Sequence, residues 1–195
     1  MHLAKEDKAY VRGDLKGGTS FQAFRPGRHL IDPATGKVIG YEATYLGTLK
    51  LQRTAQADNE AHSFTVVSSK EEMGIGDRLL PVPPTPILNY MPHPPEQLID
   101  ARVVSVYGGV THAGQNQVVA INRGKNAGLD IGAVLQLSRF GQIVADRTDG
   151  KRNVKLPDEL YGSLFVFRVF NNISYGLIMQ VTDSVQVGDV AKSPE

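Results

Sequence analysis

The sequence predicts an all-β protein made of two small barrels, and three observations carry that reading. Short runs rich in β-branched and aromatic residues fill the chain, and no stretch of ten or more residues keeps a capped 3.6-residue period. A Gly-Asp pair in matching surroundings occurs twice, in "SKEEMGIGDRLLPVP" (69–83) and "TDSVQVGDVAKSP" (182–194), 112 positions apart. Between them the segment 81–97, "PVPPTPILNYMPHPPEQ", holds seven of the eleven prolines, a density that disfavours helix and central strand alike.

Taken in chain order, residues 1–8 form a polar tail and residues 9–83 a first barrel. Its strands are "TSFQAFR" (19–25), "YEATYLGTLKL" (41–51) and "HSFTVVSS" (62–69), with turns at "RPGR" (25–28) and "DPATGK" (32–37). Residues 84–97 form a proline-rich linker, a stiff spacer of polyproline character. Residues 98–195 form the second barrel, with strands "ARVVSVYG" (101–108), "NQVVAINRG" (116–124), "AVLQLSR" (133–139), "SLFVFRVF" (163–170) and "SYGLIMQV" (174–181). Turns fall at "TDGK" (148–151) and "FNN" (170–172), and "KLPDELYG" (155–162) is where a short helical turn is expected, started by Pro157. The elements before and after the linker match one for one, which predicts an internal duplication with Gly76-Asp77 and Gly188-Asp189 at equivalent tight turns. The sequence leaves open whether 98–108 closes the first barrel or the second.

Composition narrows the function classes. A net charge of +1, with Lys and Arg scattered, gives no basic footprint for nucleic acid. The longest apolar runs, such as "LFVF" (164–167) and "GLIM" (176–179), are far too short to span a membrane as a helix. With no cysteine there is no disulfide, thiolate nucleophile or cysteine-ligated metal. The five histidines, His2, His29, His62, His93 and His112, stand apart from one another and from carboxylates at ligand spacing, so no metal or cofactor is expected.

Motif-like stretches resolve into turns. "ATGKVIG" (34–40) lacks the first glycine and the Ser or Thr of a phosphate loop and suits a hairpin turn. Gly124, Gly128 and Gly132 recur at four-residue spacing, but Arg123, Lys125 and Asp130 place them between strands rather than in a membrane helix. "RGD" (12–14) and "NIS" (172–174) are matches too short to weigh. No serine stands in a nucleophile frame, and the acid pairs Glu71-Glu72 and Asp158-Glu159 lie in polar turns, so the expectation is no enzyme. The candidate partner-contact loop is "VYGGVTHAGQNQ" (106–117), where Tyr107, Gly108, Gly109, Gln115 and Asn116 combine an aromatic, open backbone and amides in one hairpin loop.

Long phrases carry a family resemblance: "YVRGDLKGGTSFQAFRPGR", "LIDPATGKVIGYEATYLG", "YGGVTHAGQNQVVAINRG", "YGSLFVFRVF" and "SYGLIMQVTDSVQVGD". From about Tyr10 to Pro194 the chain resembles the C-terminal region of the LysM-domain-containing, secretin-associated proteins of proteobacterial type IV pili. It also resembles the C-terminal domain of a flagellar outer-ring protein, which implies that the barrels are SH3-like. No "GDTLW"-type start is present, so the peptidoglycan-binding LysM module of that family is not expected within these residues. The resemblance implies a periplasmic, non-enzymatic scaffold, its leader not part of this chain, that anchors or surrounds the outer-membrane secretin. Peptidoglycan would be reached through the parent protein's LysM domain, and self-association is a further partner expectation. The alternative is a module that binds peptidoglycan or another glycan itself. The absence of Trp and the presence of only seven Tyr favour protein contact over sugar stacking.

Overall fold

The computed structural model describes residues 3–82, 91–146, 148 and 152–194. It is almost wholly β, as expected, and its contacts divide it into two compact units. The first comprises residues 1–29 and 41–87, the second residues 30–40 and 88–195.

In the first unit β1 (Lys8–Val11), β2 (Ser20–Ile31), β3 (Val38–Arg53), β4 (His62–Ser69) and β5 (Arg78–Pro81) form one five-stranded sheet in the order β1-β4-β3-β2-β5. One face carries a core of Ala9, Phe21, Ala23, Leu46, Leu49, Phe64, Val66 and Met73. The Phe21 and Phe64 rings meet edge to face at 5.4 Å. Two expectations change here. Residues 3–8 of the expected tail are part of this unit, since Leu3 bridges Met73 and Lys8 opens β1. The turn expected at "RPGR" lies inside β2, which runs on to Ile31. Glycine is required there, because a Cβ on Gly27 would come within 2.2 Å of the Glu42 carbonyl oxygen.

The second unit is a closed barrel. Its strands are β6 (Asp100–Val106), β7 (His112–Ala113), β8 (Val118–Ile121), β9 (Val134–Arg139), β10 (Ile143–Ala145), β11 (Asn153–Lys155), β12 (Glu159–Val169), β13 (Ser174–Val181), β14 (Val185–Gln186) and β15 (Val190–Lys192). Six of them close in the order β12-β13-β8-β6-β15-β9, while β10-β11 and β14-β7 form separate pairs. The core runs through Val103, Val119, Ile121, Leu135, Leu137, Leu164, Val166 and Ile178. The hairpin tip at 30–40 belongs to this unit: Leu30 and Ile39 pack with Val104, Ala120 and Ile173, and Asn122 Nδ2 donates to Asp32 Oδ1 at 2.8 Å. Where a helical turn was expected at 155–162, the chain is extended, because Leu160 and Gly162 pair with Ser138 and Leu137 of β9. A nonlocal ladder overrides the local preference of Pro157 and its acidic neighbours. Of the linker expected at 84–97, residues 84–90 lie outside the described residues. Residues 91–97 belong to the second unit, with His93 bridged to Ala133.

Five strands of the second unit repeat those of the first in detail. β4 faces β3, and β13 faces β12, with Gly47↔Ser69 matched by Gly162↔Val181, Leu49↔Val66 by Leu164↔Ile178, and Arg53↔Ser63 by Arg168↔Tyr175. The register breaks at the same two places in each pair, after Thr48 and Leu51 and after Ser163 and Val166. β1 on β4 matches β8 on β13. Gly76 and Gly188, at φ +96° and +97°, open the two Gly-Asp turns. In each turn the aspartate accepts a backbone N–H from three residues earlier at 2.7 Å, Gly74 to Asp77 and Gln186 to Asp189.

Each aspartate is also gripped by an arginine. Arg25 donates Nε and Nη2 to Asp77 at 2.9 and 3.0 Å and Nη2 to the Glu72 carbonyl. Arg139 donates Nη1 to Asp189 at 2.8 Å and Nη2 to the Ser184 carbonyl. In the second unit Tyr161 Oη adds a third bond to Asp189, and the Asp189 carboxylate is nearly wholly buried. Removing it leaves the buried Tyr161 hydroxyl without its acceptor and Arg139 with only Asp183 and the Ser184 carbonyl. The substitution Asp189→Ala is expected to cost about 3 kcal/mol in denaturant unfolding, and a loss below about 1 kcal/mol would show that the clamp contributes little.

Candidate functional site

The site worth building is where the two units differ. In the second, β6 pairs on one side with β8 and on the other with β15, and so closes the sheet. This answers the question left open over 98–108. In the first, the counterparts of β8 and β15 are β1 and β5, and they are the two edges of the sheet. Among the described residues no strand joins them.

An apolar groove of about 620 Å³ runs between those edges. Phe21, Ala23, Leu49, Phe64 and Met73 line its floor and are nearly wholly buried. Its walls are β1, with the loop through Lys16, and β5, with the Gly74–Asp77 turn. Tyr10, Ile75 and Leu80 stand exposed on its rim, a concentration of apolar surface of the kind that marks contact sites. Lys8, Arg12, Lys16 and Arg78 share that rim with Asp14 and Asp77. Asp77 is already held by Arg25, so the rim leans basic.

The groove's edges carry backbone groups that the second unit uses. There, Val103 donates to the Asp189 carbonyl at 2.9 Å, Gly188 donates to the Val103 carbonyl at 2.8 Å, and Asn122 donates to the Arg102 carbonyl at 3.0 Å. The counterparts are the Asp77 carbonyl, the Gly76 N–H and the Arg12 N–H, and among the described residues none of the three has a backbone partner.

The sequence-predicted contact residues lie in the other unit. Tyr107, Gly108 and Gly109 form the turn after β6, both glycines at φ +84°, with Tyr107 half exposed. Gln115 and Asn116 form the turn after β7, Asn116 at φ +65°. The single hairpin loop expected over 106–117 is therefore two turns on either side of β7, which pairs with β14. Within the second turn the Gln117 side chain is committed to the Gly114 N–H at 2.6 Å. Sequence reasoning passed over the groove because "KAYV" is too short to stand out as a strand. The arginine clamps did leave a signal: Arg25-Pro26-Gly27 and Arg139-Phe140-Gly141 are the same Arg-x-Gly step, 52 and 50 residues ahead of their aspartates.

Among the described residues no group of three or more His, Cys, Asp or Glu side chains is placed to hold a metal ion. Among the same residues no helix is long and apolar enough to cross a membrane. No family model matches the chain, and no curated protein matches it significantly.

The Arg25 hydrogen bond holds the Asp77 carboxyl below the usual carboxylate range, against the opposing effect of burial and with help from the Gly74 N–H. A carboxyl depressed on folding contributes stability above its unfolded pKa of about 4, and that contribution is lost as pH falls through the folded value. The wall of the groove is thus expected to loosen in acid. Thermal unfolding followed from pH 5 to pH 2.5 should show a smaller acid-induced loss in Asp77→Asn than in the parent protein, and identical profiles would remove Asp77 from the account.

Proposed function

We propose that this chain is a non-enzymatic interaction module of a cell-envelope assembly, holding a partner protein in the groove of its first unit. The observation that carries the reading is an apolar groove bounded on both sides by strand edges that no described strand pairs, the arrangement by which sheets recruit other chains. The wall residues Tyr10 and Leu80 present apolar contact area, while the second unit is closed on itself.

The partner and compartment in this reading come from the sequence resemblance: the outer-membrane secretin of a type IV pilus, met in the periplasm, with peptidoglycan contact left to the parent protein's LysM module. The shared registers, bulges and arginine clamps support descent of both units from one duplicated SH3-like barrel. In that history the second copy is the closed form, and the first is the one adapted to a partner.

The test is site-directed photocrosslinking in envelope extracts. A crosslinker at Leu80 is expected to capture the secretin, and one at Met179, exposed on the second unit, is not. A sedimentation assay with sacculi runs beside it. Strong pelleting of this chain with sacculi and no secretin adduct from Leu80 would favour the glycan-binding alternative and contradict the proposal.

A further inference from the structure

The groove also specifies the form of its occupant. We propose that a single β-strand of the partner fills it, antiparallel to both β1 and β5 and in the register of β6, so that the first unit becomes a closed six-stranded barrel like the second. The inference rests on the proposed function above and adds the mode of binding and the chemistry of the bound segment.

The second unit provides the template. β6 sets Arg102 opposite Val190, Ala101 opposite Ala191 and Asp100 opposite Lys192 on one side. On the other side Val103 faces Ile121 and Val106 faces Val119, with a bulge between Val103 and Ser105. Through the matched turns and strands, Val190, Ala191 and Lys192 correspond to Arg78, Leu79 and Leu80, while Val119 and Ile121 correspond to Ala9 and Val11. An incoming strand in this register reaches the Gly76 N–H, the Asp77 carbonyl and the Arg12 N–H.

The side-chain pattern follows. β6 turns Ala101, Val103 and Val106 into the core, all nearly wholly buried. In the first unit Ala9 and Ala23 stand beside the groove where the second has Val119 and Leu137, so inward positions accept apolar residues of valine size or larger. The basic lean of the rim favours an acidic flank on the incoming strand.

Among the described residues no strand fills this position. A second copy of the chain is a poor donor, because its own β6 is held on both sides within a closed barrel. A partner's extended segment meets the requirement without opening anything.

The absence of cysteine makes the register directly testable. The probe is a synthetic peptide of the β6 sequence, residues 98–107, labelled and titrated into the full chain. Saturable binding is expected, weakened at least tenfold by Tyr10→Pro, which removes an edge N–H. In a second measurement, a peptide carrying Ala101→Cys should form a disulfide with the Leu79→Cys chain. It should not do so with Val67→Cys, exposed on β4, because facing residues of antiparallel strands lie within disulfide reach. Absence of saturable binding, or equal crosslinking at both cysteines, overturns the strand mode. Secretin capture from Leu80 together with such a failure would leave the scaffold reading standing, whereas loss of both would end both. A concentration-dependent dimer that excludes the peptide would place a second copy in the groove and also overturn the proposal.

Discussion

A sheet becomes a barrel only when its first and last strands find a common neighbour. In the second unit that neighbour is β6, bonded through its backbone to both β8 and the Gly188–Asp189 turn. The turn is in place because Asp189 satisfies its own loop, Arg139 and Tyr161 at once, so a buried carboxylate fixes the edge against which the barrel closes. Burial and the bond to Asp189 push the Tyr161 hydroxyl well above the ordinary phenol range, keeping it a donor. A second carboxylate plays a similar part nearby. Burial alone would raise the Asp158 carboxyl, but bonds from Lys155, the Gly141 N–H and Lys192 outweigh it and hold the group far below the usual range.

The first unit has the same turn, the same arginine grip and the same two bulges, but its edges meet no described strand. The two cores differ in how they use space. Phe64 stands where the second unit has Gly176, and Gly176 must be glycine because a Cβ there would lie 2.5 Å from Leu164 Cγ. Ala23 and Ala9, in turn, stand where the second unit has Leu137 and Val119. The first core therefore carries its bulk on central strands and little of it beside the open edges. That distribution leaves a groove with apolar walls, flanked by backbone groups that meet no described strand, a surface suited to an extended chain and poorly suited to a small polar ligand.

Much of this was legible in the residues. Alternation in "SFTVVSS" and "SYGLIMQV" marks half-buried strands, and the Gly-Asp pairs marked equivalent turns because only a few residues tolerate a φ near +97°. Other features depended on distant partners. Residues 98–108 suit either barrel locally, and only pairing with β8 and β15 assigns them to the second. Pro26-Gly27 has the local chemistry of a turn, yet the approach of the Glu42 carbonyl makes it a strand interior. The hairpin tip at 30–40 joins the second unit because Leu30 and Ile39 find Ile173 and Ala120, a contact that no local pattern encodes. The groove was hardest to foresee, since it is defined by which strands fail to meet.

Amide hydrogen exchange, resolved residue by residue, tests the open edge most directly. Gly188 and Asn122 donate to β6 in the second unit, and their counterparts in the first are Gly76 and Arg12. The account predicts that the Gly188 and Asn122 amides exchange about a hundredfold or more slowly than those of Gly76 and Arg12 in the isolated chain. Comparable protection at all four would mean that the first unit is already closed, and would contradict the account.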